Sequence, residues 1–148
     1  MSNIISIIAS AVVFMSDIFV KSKIEKKHPD RQLANGHIII TRLHNRGVML
    51  GRLSGKPLLV KYLISGAMIV LYIIYIPLLF KKGLTLVKLG FGMFIGGAWS
   101  NFYDHFVRGY VVDYIRIPHG FFKKIVFNLG DFFIALGAII AGFFSLFS

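Results

Sequence analysis

Residues 58–99 read LLVKYLISGAMIVLYIIYIPLLFKKGLTLVKLGFGMFIGGAW, two apolar runs joined by Lys81-Lys82-Gly83. The first run, Leu58 to Phe80, has the ~20 residues a helix needs to span the hydrocarbon core of a bilayer. The second, Leu84 to Trp99, is shorter, as expected of a helix that ends in a polar pocket or a thinned bilayer. The break between them predicts a tight turn and an antiparallel helical hairpin. Within the second run, Gly92 and Gly96, extended by Gly97, have the small-residue spacing that lets helices approach closely in a membrane.

Working outward, a short apolar segment runs from Ile4 to Val20 and a longer one from Ile125 to Phe147. The chain has 148 residues and is 56% hydrophobic, too apolar for an ordinary soluble domain. The expected fold is an all-α integral membrane protein, with four transmembrane helices in one domain over residues 1–148. Ala9-Ser10-Ala11 has the small-x-small pattern of a cleavage site. However, Met1-Ser2-Asn3 lacks a basic side chain and Ile4 to Ile8 is too short for a signal-peptide core, so an uncleaved first helix is expected.

The loop from Lys21 to Pro57 is long. Lys21 to Lys27 reads as a polar helical piece lying on lipid headgroups and stopped by Pro29. A β-like run, Ile38-Ile39-Ile40-Thr41, follows Asn35-Gly36. Loop one is thus expected to carry a small extramembrane β-like and helical element. The third connection, Asn101 to Lys124, contains Val111-Val112 and the Pro118-His119-Gly120 turn. An even number of spans places loops one and three on one side, with the Lys81 turn and both chain ends on the other.

The net charge of +11 comes from Lys and Arg that flank the apolar runs without forming a basic face. This points to anionic membrane lipids as partners and away from nucleic acid. No cysteine is present, which excludes disulfides, thiol nucleophiles and Cys-ligated metals. The five histidines show neither H-x₃-H nor HExxH spacing, so no metal and no cofactor are expected. Ser100 and His105, five apart on a helix, point away from each other and make no catalytic triad.

Only six acids occur, and Asp17, Asp104, Asp113 and Asp131 lie at or near the ends of apolar segments. A carboxylate near hydrocarbon is costly and is usually functional. The even-span topology brings these four and Asn45 to one membrane face. Asn101 with Asp104, and Asn128 with Asp131, are spaced i, i+3, so each helix is expected to offer an amide and a carboxylate to one pocket. Counted from Ile125, Asp131 would lie ~9 Å deep.

Five blocks resemble the lipoprotein signal peptidases (signal peptidase II). Gly96-Gly97-Ala98-Trp99-Ser100-Asn101-Phe102-Tyr103-Asp104-His105 is similar to that family's GGAxGNxxDR, and Val111-Val112-Asp113-Tyr114-Ile115 to its VVDFI. Phe127-Asn128-Leu129-Gly130-Asp131 resembles FNxAD. Asn45-Arg46-Gly47-Val48-Met49-Leu50-Gly51 resembles NxGAAFG, and Asp17-Ile18-Phe19-Val20-Lys21 is similar to DxxTK. Each block is weak alone; in this order they cover nearly the whole chain.

The resemblance implies an intramembrane aspartyl endopeptidase that cuts the signal peptide from a lipidated prolipoprotein before its diacylglyceryl-modified cysteine. It implies Asp113 and Asp131 as the catalytic pair. Asn45, Asn101 and Asn128 match the family's asparagines, Asp17 its first-helix acid, and Lys21, Asp104 and His105 complete the candidate site. Ser100, His105 and Gly130 depart from the pattern, where the family has glycine, arginine and alanine. Arg46, Met49 and Arg52 make the first-loop motif bulkier and more basic. These changes bear on substrate choice, and a paralogue serving one specialised peptide is an alternative reading.

Peptide hydrolysis needs a base for water and an acid for the leaving amine. Two neighbouring carboxylates resist double ionisation, share a proton and so supply both. The bland alternative pairs Asp131 with Lys123, Lys124 or Arg116. Asp104 is expected to pair with His105 or Arg108 and shape the loop. Asn128 could cap a helix, and Asn45 beside Gly47 could form a turn. Rival functions are a small proton-coupled carrier using Asp131, or a non-catalytic membrane partner.

Loop one holds nine Lys/Arg from Lys21 to Lys56 and loop three holds four, against Lys81 and Lys82 on the opposite side. The positive-inside rule puts the acid-bearing face in the cytoplasm. The resemblance implies the reverse: a multi-pass protein of the bacterial cytoplasmic (inner) membrane, with both termini inside and the site toward the outer face. A monomer is expected.

Overall fold

The computed structural model of the chain describes residues 1–27, 30–47 and 53–147. The described part is mostly helical, built on α1 (Ser2–Lys27), α2 (Pro57–Phe80), α3 (Thr85–Tyr103) and α4 (Leu129–Ser145). By length and composition α1 and α2 are able to cross a membrane, and α4 is a shorter apolar helix. Their outward faces expose Ile69, Ile73, Leu136 and Ile139, a surface suited to hydrocarbon and costly in water.

Glycines decide how these helices pack. On α3, Gly92 and Gly96 lie against Ser6 and Ser10 of α1, while Gly90 and Gly97 lie against Ala141 and Gly130 of α4. The small-residue seam read from Gly92, Gly96 and Gly97 is therefore double-sided, and α3 is clasped between α1 and α4. The tight turn at Lys81-Lys82-Gly83 is present, with Gly83 and Leu84 at positive φ (71° and 55°). The hairpin partner α2, however, packs only sparsely on α3 and stays largely exposed.

A four-stranded antiparallel sheet sits at the other end, in the order β1 (Arg31–Leu33), β2 (Ile38–Asn45), β3 (Val111–Arg116), β4 (Val126–Phe127). The β-like run of loop one is present, but the sheet is not confined to that loop. Leu43 pairs with Asp113 and Asn45 with Val111, and the register shifts between Ile40 and Leu43. The sheet thus bolts the first loop to the third, and an all-α description is incomplete. A small core of Ile24, Val112 and Tyr114 joins α1 to this sheet.

Three boundaries differ from expectation. First, α1 does not stop near Val20 but runs to Lys27, and Lys21 is fully buried instead of lying on headgroups. Lysine and glutamate are good helix formers, and Lys21 finds buried partners described below. Second, α3 continues through Tyr103 into a wide π turn, Asp104–Arg108. Third, α4 starts at Leu129, because Val126–Phe127 pairs with β3 and Asn128 caps the helix. Asp131 is therefore in the first turn of α4, not ~9 Å along it. The expected stop at Pro29, and the departures at Met49 and Arg52, lie outside the described residues.

At the end remote from the sheet, Lys88 is buried and its Nζ donates to Lys81 O (2.6 Å), Leu79 O (3.3 Å) and Asn3 Oδ1 (2.7 Å). The start of α1 and the 81–83 turn are thus tied together. Sequence reading overlooked this lysine.

Adding one methyl group tests the α3 seam. Gly97→Ala runs into the Gly130 carbonyl, whereas a Cβ at Gly66 on α2 meets nothing within 4 Å. Gly97→Ala is expected to cost about 1–3 kcal/mol, and Gly66→Ala to stay within about 0.5 kcal/mol of the parent. Thermal unfolding in detergent measures both; equal losses would remove the seam from the account.

Candidate active site

The site is built around a buried ion cluster. The Lys21 ammonium on α1 lies 2.8 Å from Asp17 Oδ2 one helical turn back and 3.3 Å from Asp104 Oδ2, all three side chains being sealed from solvent. It also donates to Ser100 Oγ (3.0 Å) and Asn101 Oδ1 (2.8 Å). Ser100 Oγ donates in turn to Asp17 Oδ2 at 2.6 Å, and Tyr114 OH donates to Asp17 Oδ1 at 3.1 Å. Burial, then the nearby Asp17 charge, pushes the Tyr114 phenol up, so it keeps its proton and remains a donor. Asp104 accepts from Val112 N (3.1 Å) and faces Arg108 at 2.9 Å. The cluster Asp17, Lys21, Asp104, Arg108 is neutral, which is how buried charge is tolerated.

Next to it lie two carboxylates without an ion-pair partner among the described residues. Asp113 on β3 accepts from Asn128 Nδ2 at Oδ1 (2.8 Å) and from Asn45 Nδ2 at Oδ2 (3.1 Å). Asp131 on α4 accepts from Asn101 Nδ2 at Oδ1 (2.9 Å) and from Asn128 N at Oδ2 (3.0 Å). Asn128 Oδ1 accepts from Asp131 N (2.9 Å), closing a capping box. One residue, Asn128, therefore touches both acids: its side-chain amide holds Asp113 and its backbone N–H holds Asp131. Its Nδ2 also reaches Asn101 Oδ1 at 3.1 Å, which links the pair to Lys21 through neutral amides only.

Burial, with the Asp131 carboxylate as second cause, pushes the Asp113 carboxyl up to about 7, against the opposing pull of the Asn128 and Asn45 amides. Near neutral pH the pair is poised to hold one proton. Both acids line a cavity of about 570 Å³ with Asn45, Asn101, His105 and Asn128. Its remaining wall is apolar, with Ala67 and Met68 from α2, Phe102 from α3 and Ile134 from α4. Among the described residues, no three His, Cys, Asp or Glu side chains gather as a metal site.

The structure thus brings Asn45, Asn101, Asn128, Asp113, Asp131 and His105 to one cavity, with Asp17, Lys21 and Asp104 packed behind it. The i, i+3 expectation holds only in part. Asn101 reaches the pair, but Asp104 turns away to Lys21 and Arg108, and Asn128 stands before its helix, not on it. Asp104 pairs with Arg108; His105 lines the cavity instead. The rival partners Lys123, Lys124 and Arg116 form no ion pair with Asp131 among the described residues. Capping by Asn128 and turn formation by Asn45, whose Oδ1 accepts from Gly47 N at 3.1 Å, both occur alongside the contacts to Asp113. Sequence reading missed Tyr114, which also accepts from Leu129 N (3.0 Å). Its position directly after Asp113 on a strand was the available signal.

Comparison with known proteins gives a consistent picture. The family described as signal peptidase (SPase) II matches residues 9–147. A lipoprotein signal peptidase of Caldicellulosiruptor bescii is 36% identical over 136 residues, covering 90% of this chain and 85% of that protein. The lipoprotein signal peptidase of Geobacillus kaustophilus is 37% identical over 103 residues, covering 70% of this chain and 66% of its own length. Two solved bacterial membrane enzymes share the fold, each with a TM-score of 0.79, at 24% and 23% identity. Those alignments cover 95% of this chain and 87% and 92% of the solved chains.

Removing the central cation leaves Asp17 and Asp104 buried without their shared partner. Lys21→Met is expected to cost about 3–5 kcal/mol, while the exposed Lys23→Met stays within about 0.5 kcal/mol. Unfolding midpoints in detergent compare them, and a Lys21→Met midpoint equal to the parent's would show the cluster to be energetically idle.

Proposed function

The chain belongs to the signal peptidase II family and is a bacterial membrane peptidase that removes signal peptides from prolipoproteins; we propose that Asp113 and Asp131 are its catalytic pair. The observation that carries this assignment is the convergence of two carboxylates, from β3 and from the first turn of α4, onto Asn128 at an apolar-walled cavity. The cut falls before the diacylglyceryl-modified cysteine, so the apolar wall suits a lipidated, greasy substrate.

In this mechanism the pair carries one proton near neutral pH, assigned to Asp113, whose carboxyl is pushed up to about 7 by burial and the Asp131 charge. Ionised Asp131 takes a proton from water as the oxygen attacks the scissile carbonyl, and Asp113 gives its proton to the carbonyl oxygen. The tetrahedral species collapses when Asp113 recovers that proton and Asp131 passes its own to the leaving amine. One peptide bond and one water are consumed, and a carboxylic acid and an amine are formed. Asn45 and Asn128 keep the Asp113 oxygens aimed, and Asn101 does the same for Asp131. The cluster of Asp17, Lys21, Asp104 and Ser100 positions Asn101 through the Lys21 ammonium, and no cation pairs directly with either acid among the described residues. His105 shapes the cavity wall.

All four helices are spans of a single domain in this reading. At 1.5 Å per residue, α3 and α4 reach about 25–29 Å, close to the hydrocarbon thickness. The sheet and the acids lie toward the outer face of the cytoplasmic membrane, with both termini inside. Lys21 and Arg108 are committed to Asp17 and Asp104, and Arg42 lies 3.4 Å from Glu25, so several loop cations are not free to act in the positive-inside rule. Exposed lysines such as Lys26 and Lys27 contact anionic headgroups, and the working unit is a monomer.

Cleavage of a lipidated precursor peptide, followed by mass spectrometry of the released lipidated cysteine fragment, tests the pair. Asp113→Asn and Asp131→Asn are each expected to lose ~10³-fold or more in rate while keeping the parent's melting midpoint; near-parental turnover by either sinks the assignment. The pH dependence follows from the Asp113 proton. As pH rises through about 7 that proton is lost, the pair becomes doubly charged and kcat/KM falls. A rate that keeps climbing well above that pH would contradict Asp113 as the proton holder.

A further inference from the structure

Asp113 and Asn45 line two cavities. Besides the apolar-walled one, a second of about 330 Å³ lies on the sheet side, between Leu43 and His44 of β2, Arg46, Ser54, and Lys124 with Val126 near β4. Among the described residues its ionisable lining consists of Asp113, which shares the proton of the acid pair, the His44 imidazole, and two cations, Arg46 and Lys124. Neither cation has an ion-pair partner among the described residues. His44 is already held by Glu25 at 2.7 Å.

We propose that this second cavity seats the residues that directly follow the modified cysteine, and that Arg46 and Lys124 select acidic side chains there. The inference rests on the peptidase reading above. Around a scissile bond at Asp113 the signal peptide and the diacylglyceryl group are the apolar parts of the substrate, and the residues after the modified cysteine are the polar part. The helix-walled cavity matches the first, and the sheet-side cavity offers polar walls to the second. An acidic side chain entering it meets two cations that have no other acid to satisfy, whereas a basic side chain meets like charge. Asp113, when ionised, would bias the site the other way, so the two cations set its sign.

Three lipidated precursor peptides, identical except for Ser-Ser, Glu-Glu or Lys-Lys directly after the modified cysteine, test this on the full chain in zwitterionic nanodiscs. The expected kcat/KM ratio of Glu-Glu over Lys-Lys is roughly three- to tenfold at low salt, shrinking at about 0.5 M salt. The double variant Arg46→Glu/Lys124→Glu is expected to reverse the ratio, and Lys82→Glu, at the opposite end, to preserve it. Equal rates for the charged peptides, or an acidic preference that survives the double reversal, overturn the proposal. Failure of the parent to cut any of the three overturns the peptidase reading, and the specificity claim with it; cleavage without charge preference overturns the specificity claim alone.

Discussion

A cation sealed from water must be paired, and the ammonium of Lys21 is the point on which the catalytic end of this protein depends. Its partners come from three places: Asp17 on its own helix, Ser100 and Asn101 on α3, and Asp104 at the π turn that leads to β3. Satisfying that one charge sets the rotation of α1 against α3 and the path of the chain toward Asp113. The hydroxyl of Ser100 joins in, accepting from Lys21 and donating to Asp17. A side chain that departs from the family pattern has thus become part of the internal wiring.

Asn128 does for the reacting groups what Lys21 does for the scaffold. An N-cap side chain ordinarily satisfies its own helix and nothing else. Here the amide nitrogen left over by the cap reaches Asp113 and Asn101. Helix capping and acid pairing are therefore a single geometric condition, and the start of α4 cannot shift by a residue without separating the two acids. Neutral amides are well suited to this role, because they orient carboxylates without the charge that would hold both ionised.

The parts of this arrangement visible in the sequence are those imposed by solvent. Hydrocarbon demands uninterrupted apolar length, so Leu58 to Phe80 announced its helix; it also penalises stray acids, so Asp113 and Asp131 stood out. What stayed hidden depends on long-range pairing. Val111 to Tyr114 is buried along its whole length, so β3 lacks the alternation that marks a half-exposed strand. Its partner strand β2 lies more than sixty residues away. Ile125, Val126 and Phe127 are as apolar as the helix they precede, and only pairing with β3 separates them from it. Lys21 looked like the start of a solvated run because three of its partners, Ser100, Asn101 and Asp104, are some eighty positions distant.

The Lys88 clamp fixes one end of α2 in place. The C-terminal half of α2 is fastened by Lys88 to Leu79 O and Lys81 O, by Tyr75 to Ser6, and by the Trp99 indole to Tyr72 OH at 2.6 Å. Its N-terminal half carries the wall residues Ile64, Ala67 and Met68, and the one cation–ring contact there sets Lys61 5.2 Å from the Phe106 ring centre. Polar ties thus hold the C-terminal half of α2, while its N-terminal half is seated by the packing of buried Val60 and Met68 and by the Lys61–Phe106 contact. Side-chain volume at Ala67 and Met68 therefore sets the width of the cavity beside Asp131, while the glycine-locked trio of α1, α3 and α4 fixes where the acids stand.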